Sequence, residues 1–239
     1  TGDSAAEDGS AVTVAAFTMM MGIMVYSVLS VMILATGFVV SRFNEVLVRA
    51  RLSAAPQSSV RVNGQIMLAC AVWALIVWVY FAALSLGFTA VMRGGLQALG
   101  VQGAGAALGA AFAFTVMTLA FGFMVGQFGL PATAINGIAN VVGLALLFLS
   151  GAMISPSLMP DAMVTLAKFT PGWWYVDAVY QSFGGRDATN VGKPDWGGWG
   201  LSITVVLLFA VVFVCVGLAV GRVRQSKSVV AGPALTTVQ

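Results

Sequence analysis

The chain has 239 residues, of which 59% are apolar and only 8% charged, with a formal net charge of +3. A soluble domain has roughly 45–50% apolar and about 25% charged residues, so too little charge is present here to cover a water-facing surface, and lipid is the solvent that fits. Histidine is absent and the two cysteines, Cys70 and Cys215, lie inside apolar runs, which argues against a disulfide scaffold and against a thiol or imidazole metal site.

The chain opens on a polar, acidic stretch, Thr1 to Ser10, carrying Asp3, Glu7 and Asp8. No basic region precedes the first apolar run, so the stretch is not a secretory signal peptide. We expect residues 1–16 to be the end of a longer upstream extracellular segment. Five apolar runs follow, over about 17–40, 64–91, 104–128, 132–154 and 199–220. Each has the roughly 20 residues that a helix needs to cross a bilayer core. Runs such as Ala145-Leu-Leu-Phe-Leu149 do not alternate as the strands of a membrane barrel would. The expected fold is therefore an all-α integral membrane protein with five transmembrane helices over 17–221, closed by a basic tail at 222–239.

Charge sets the orientation. With the N-terminal side outside, the inner segments hold Arg42, Arg49, Arg51, Arg61, Arg222, Arg224 and Lys227, and the outer ones Arg93, Lys168, Arg186 and Lys193. That excess on one side is the pattern of a cytoplasmic face. Trp173, Trp174, Tyr175, Trp196 and Trp199 fall in the long outer loop, where such rings favour the membrane–water interface. The third and fourth runs are separated by only Gly129-Leu130-Pro131, which predicts antiparallel neighbours. Gly105/Gly109, Gly122/Gly126 and Gly217/Gly221 have the spacing that lets helix backbones approach closely, whether within the chain or at a dimer seam.

The inner loop 41–63 is the most informative. Read as a helix, Ser41 to Ala54 places Phe43, Val46, Leu47, Ala50 and Ala54 on one face. Arg42, Glu45 and Arg49 fall on another, with Glu45 able to pair with Arg49 one turn on, and Pro56 marks the end. A helix lying on lipid fits this pattern. So does a docking element whose arginines, Arg51 among them, suit an acidic groove on a cytoplasmic partner.

The outer loop 155–198 reads as two short helices. Ser157 can cap the first, with Pro160 in its opening turn and a stripe of Met159, Ala162, Met163 and Leu166. Thr170-Pro171 opens the second, Trp173, Val176, Tyr180 and Phe183 stripe it, and Gly184-Gly185 ends it. An ordinary loop on lipid fits, as does a re-entrant lid at the outer end of a pathway, with Met159, Met163, Trp173 and Tyr180 as its gate.

No Asp, Glu, Lys or Arg lies well inside the five runs. Ion-coupled carriers usually place such groups there. The polar groups are mild: Ser27, Ser30, Thr36, Thr115, Thr118, Asn136 and Asn140. Asn136 and Asn140 share a helix face, and either helix-to-helix bonding or a place along a pathway suits them. No phosphate-binding loop of the Gly-x-x-x-x-Gly-Lys type is present, and few groups could do chemistry in the bilayer. We expect no enzyme activity in this chain, and any energy must come from a partner.

Two phrases carry a family resemblance. One is Ser41-Arg-Phe-Asn-Glu-Val-Leu-Val-Arg-Ala-Arg-Leu-Ser-Ala-Ala-Pro56. The other is Leu149-Ser-Gly-Ala-Met-Ile-Ser-Pro156 with Leu158-Met-Pro160, Ala167-Lys-Phe-Thr-Pro171 and Trp174-Tyr-Val-Asp-Ala178. Over about residues 17–221 the chain resembles the permease subunit of type-2 ATP-binding-cassette (ABC-2) exporters. The resemblance implies a six-span permease, here lacking its first span, with outer re-entrant helices. It makes residues 41–56 a cytoplasmic coupling helix, docking through Arg42, Glu45, Arg49, Arg51 and Leu52. It implies a second permease half and an ATP-binding-cassette ATPase subunit as partners, with ATP and magnesium held by that subunit and no cofactor in this chain. The pathway candidates are then Ser30, Thr36, Thr115, Thr118, Asn136 and Asn140. Membrane lipid, and no nucleic acid, completes the partners. The expected place is the bacterial cytoplasmic membrane, and the expected role is outward transport of an amphipathic or lipid-like substrate. The alternative is a non-pumping channel or assembly scaffold.

Overall fold

The computed structural model of the chain describes residues 2–45, 59–92, 94–186 and 193–230. Among them seven α-helices follow in order: α1 Gly2–Phe43, α2 Ser59–Val91, α3 Val101–Gln127, α4 Ala132–Leu149, α5 Asp161–Lys168, α6 Pro171–Gln181 and α7 Trp196–Val230. Short 3-10 turns occupy Leu96–Leu99 and Pro156–Leu158. Five helices, α1, α2, α3, α4 and α7, are long and apolar enough to cross a membrane. Helices satisfy every interior backbone group within the segment, which lipid demands. The chain is a multi-pass, all-helical membrane protein.

The helix ends differ from the expected ones, each for a local reason. α1 is one helix of 42 residues. At about 1.5 Å per residue it outruns a core about 30 Å thick. The acidic start is therefore helical and continuous with the first span, because no proline interrupts Gly2–Phe43 and Ala5, Ala6 and Glu7 favour helix. α4 stops at Leu149 and not at Ile154, because Gly151 takes a φ of +77°, which breaks the helix although the next residues are still apolar. Ser157 caps no helix. Its hydroxyl meets that of Ser155 at 2.9 Å, and α5 begins only after Pro160, before which Met159 is extended. Thr170 and Pro171 do open the second outer helix, and Gly184 and Gly185, at φ +103° and +110°, follow its end. The Thr170 hydroxyl, however, donates back to Ala167 O at 2.7 Å instead of capping α6.

α1 and α3 form the middle of the bundle. Phe17, Met21, Val25, Leu29, Met32 and Ile33 of α1 are buried together with Phe114 and Met117 of α3. α7 covers the far side of α3, and α2 packs on both α1 and α3. The close approach of α1 and α3 depends on glycine. A methyl on Gly122 would collide with the Thr36 hydroxyl and lie 2.8 Å from Met32 O, and one on Gly126 would lie 2.6 Å from Val40 Cβ. Gly217 and Gly221 of α7 lie in the same way against Phe123 and Gln127 of α3. Two of the three glycine pairs thus serve packing within the chain, while Gly105 faces open space.

Two expectations about neighbours are corrected. The short turn does not make α3 and α4 partners, because α4 packs chiefly on α1, whose Gly37 meets Ile135 and whose Tyr26 lies against Gly143. α1 fills the place beside α3, where its glycine-lined surface accepts a tighter fit. The outer aromatic residues do not all sit at an interface. Tyr175 is buried against Met21 of α1 and Phe114 of α3, Trp173 is buried beside Gly151 and Arg186, and of that group only Trp196 is exposed. α6 is a core helix of the outer half, filling the space above the early end of α4.

Candidate functional site

At one end of the bundle the last turn of α1 meets the α3–α4 turn and α7. Ser41 Oγ donates to Leu130 O at 3.3 Å, Asn44 Nδ2 to Gln127 Oε1 at 3.1 Å, and Arg224 Nη1 to Gln127 O at 2.9 Å. Arg224 thereby supplies a donor for a carbonyl that the end of α3 leaves open. The expected separate helix from Ser41 begins differently. Ser41 to Phe43 complete α1, and Asn44 and Glu45 form a turn. Arg42 pairs with Glu45 at 2.9 Å, both exposed. The expected partner of Glu45, Arg49, lies outside the described residues, as do Arg51 and Leu52 and the rest of the coupling segment to residue 58.

In the middle of the bundle the polar candidates separate into two groups. Thr36, Thr115 and Thr118 are buried, and each hydroxyl donates to a carbonyl three or four residues back on its own helix. Asn136 and Asn140 are exposed on α4. Tyr26 OH donates to Asn140 Oδ1 at 2.8 Å, and Asn140 Nδ2 donates to Asn136 O at 3.0 Å and Asn136 Oδ1 at 3.1 Å. Ser30, half-buried, reaches Ala139 O at 3.5 Å beside them. The result is an uncharged polar ladder on the α1–α4 face, open to the outside of the chain. Sequence reasoning missed Tyr26, although Ser27 and Ser30 beside it were picked out, because its partner lies 114 positions away.

At the opposite end Trp173 and Tyr180 meet around Arg186. Met159 and Trp173 are buried, and Met163 and Tyr180 half-buried. Ala162 and Leu166 of the expected α5 stripe are exposed instead, and Ala167 is the residue that packs. α6 is anchored by Tyr175, whose ring stacks on Phe114 at 4.4 Å and whose hydroxyl donates to Met21 O at 3.0 Å. Burial pushes that hydroxyl far above the usual tyrosine range, so it remains a donor. Sequence reasoning also missed the charged pair here. Arg186 Nε donates to Asp177 Oδ1 at 3.0 Å, its guanidinium lies 4.3 Å from the Trp173 ring centre, and Ser202 Oγ donates to Asp177 Oδ2 at 3.0 Å. An acid inside an otherwise apolar helix was the available signal.

Charge towards both ends, long apolar spans and a mild polar ladder on one face define a multi-pass membrane protein. The ABC-2 type transporter family model matches residues 6–183, from α1 to the end of α6. The chain belongs to that family and is the permease component of an ATP-binding-cassette transporter. Such a permease is not itself catalytic, and the family implies an ATPase partner. No curated protein and no solved structure matches the chain.

Proposed function

We propose that this permease works in an exporter that moves an amphipathic or lipid-like substrate outward, paired with a second permease half. ATP and magnesium are held by a separate ATPase subunit. That subunit grips the segment 41–56 through Arg42, Glu45, Arg49, Arg51 and Leu52. Closure of the ATPases shifts α1, and the route opens past the outer helices, with Met159, Met163, Trp173 and Tyr180 at its gate. One observation carries the reading: the α1–α4 surface bears an uncharged polar ladder, Tyr26, Asn140 and Asn136 with Ser30 beside them, among exposed apolar side chains of α4 such as Val141, Leu144 and Phe148. Such a surface suits a cargo with a long apolar body and a hydrogen-bonding head. The buried Thr36, Thr115 and Thr118 then line the route only if the helices part.

The test is reconstitution of the chain with the ATPase from the neighbouring reading frame. ATP-dependent outward movement of a fluorescent phospholipid analogue in proteoliposomes is expected, as is its loss when Arg49 and Arg51 are both reversed to Glu. Absence of any ATPase in a gentle detergent purification, together with no ATP-dependent movement, favours a channel or scaffold instead.

A further inference from the structure

The least explained charged group in the chain is Arg186. It follows α6, yet its side chain is only 14% exposed, and that of its partner Asp177 only 19%. Exposed ion pairs do little, but one so enclosed is weakly screened and holds its elements firmly. Besides Asp177, the guanidinium donates through Nη2 to Ser150 O and to Trp173 O, each at 3.3 Å. It also lies over Trp173 and 5.1 Å from the Tyr180 ring centre. Asp177 in turn accepts from Ser202 of α7. One ion pair therefore ties the end of α4, the body of α6 and the start of α7.

The tied helix packs on α1 and α4 beside the ladder. Gly172 of α6 lies against Leu146 of α4 and Val25 of α1, directly outward of Tyr26 and Gly143. The tie is also incompletely satisfied. Nη1 of Arg186 is buried with no hydrogen-bond partner among the described residues.

We propose that Arg186 is a positioning residue that latches α6 shut through Asp177, and that this pair parts when the outer end opens. The latch rests on the exporter reading above for its purpose, but its test needs neither ATP nor cargo. Replace Cys70 and Cys215 by Ala, place a reporter with Val179→Cys on the buried face of α6, and expose proteoliposomes to a membrane-impermeant charged thiol reagent. The reporter is protected in the parent chain. Arg186→Gln and Asp177→Asn are each expected to speed its modification at least about tenfold, as loss of one partner of an enclosed pair demands. Arg186→Lys keeps the charge but loses the planar contacts, and an intermediate rate is expected. The swap Asp177→Arg with Arg186→Asp is expected to restore part of the protection. A purely structural role would lower the thermal midpoint of every variant and leave the reporter protected while the protein is folded. Protection unchanged in monodisperse Arg186→Gln, or no gain from the swap, overturns the latch. If Arg186→Gln does not fold, Arg186→Lys decides: a parent-like rate overturns the latch and a faster one supports it. Should the native chain show no ATP-driven transport while these rates behave as expected, the exporter reading fails and the latch stands.

Discussion

At the residue scale, the packing of α1 on α3 is decided where a side chain would add one methyl group. Gly122 has none to spare, with Thr36 and Met32 O already in the space, whereas a methyl on Gly105 meets nothing within 4 Å. Gly122→Ala is expected to lower stability by about 1–3 kcal/mol through overpacking. Gly105→Ala should be neutral or stabilising by up to about 1 kcal/mol, since alanine is the better helix former. Unfolding titrations in mixed micelles would compare them, and equal losses would contradict the α1–α3 contact. Tyr175 provides a second comparison. Tyr175→Phe keeps the stack on Phe114 and loses only the bond to Met21 O, a cost of about 1 kcal/mol. Tyr175→Ala opens a cavity and should cost about 3–5 kcal/mol by the same measurement. Neither glycine could be told from the other in the sequence, because the spacing Gly105/Gly109 is the same as Gly122/Gly126. What differs is the facing helix.

At the element scale, the order of helices in space does not follow the shortness of their connections. α3 and α4 are joined by four residues, yet α1 stands between them as the partner of both. A short turn requires only that two helix ends be near each other. The bodies of the helices go where the surfaces match, and α1 offers Gly37 to α4 on one side and meets Gly122 and Gly126 on the other. This arrangement is checked with Gly37→Cys and Ile135→Cys in a chain lacking Cys70 and Cys215, since a methyl on Gly37 would lie 3.2 Å from Ile135 Cγ2. Mild oxidation is expected to give a bridge between α1 and α4, resolved by cleavage of the chain between them and gel mobility. Failure of the bridge would move α4 off α1, and the Tyr26–Asn140 bond with it. α6 makes the same point. Its stripe was legible, but whether the stripe met lipid or protein depended on α4 ending early enough to leave room.

At the scale of the whole molecule, the charged groups sort to two ends. Arg42, Glu45 and Arg224 stand at one, and Lys168, Arg186 and Lys193 at the other, with α3 and α4 free of charge and α2 carrying only Arg61 near its start. By the charge rule the arginine-bearing first end is expected to be the cytoplasmic one. Glu45→Cys and Lys193→Cys, each exposed, are therefore expected to react from opposite sides of the membrane, Glu45→Cys from the cytoplasm. Labelling of intact cells against inside-out vesicles would show it. Reaction of Glu45→Cys from outside would leave residues 41–56 beyond the reach of any cytoplasmic ATPase.

The class of protein, the number of spans and the places where charge could stand were settled by composition, because lipid excludes charged and unsatisfied backbone groups whatever the sequence order. Gly184–Gly185 already marked the end of α6 in the sequence, whereas the helix end at Gly151, the seat of α1 between α3 and α4, and the meeting of Asp177 with Arg186 and Tyr26 with Asn140 were decided only in three dimensions. Those depend on backbone rotation at single residues and on surfaces brought together from distant parts of the chain, and neither is written in the local pattern of apolar and polar residues.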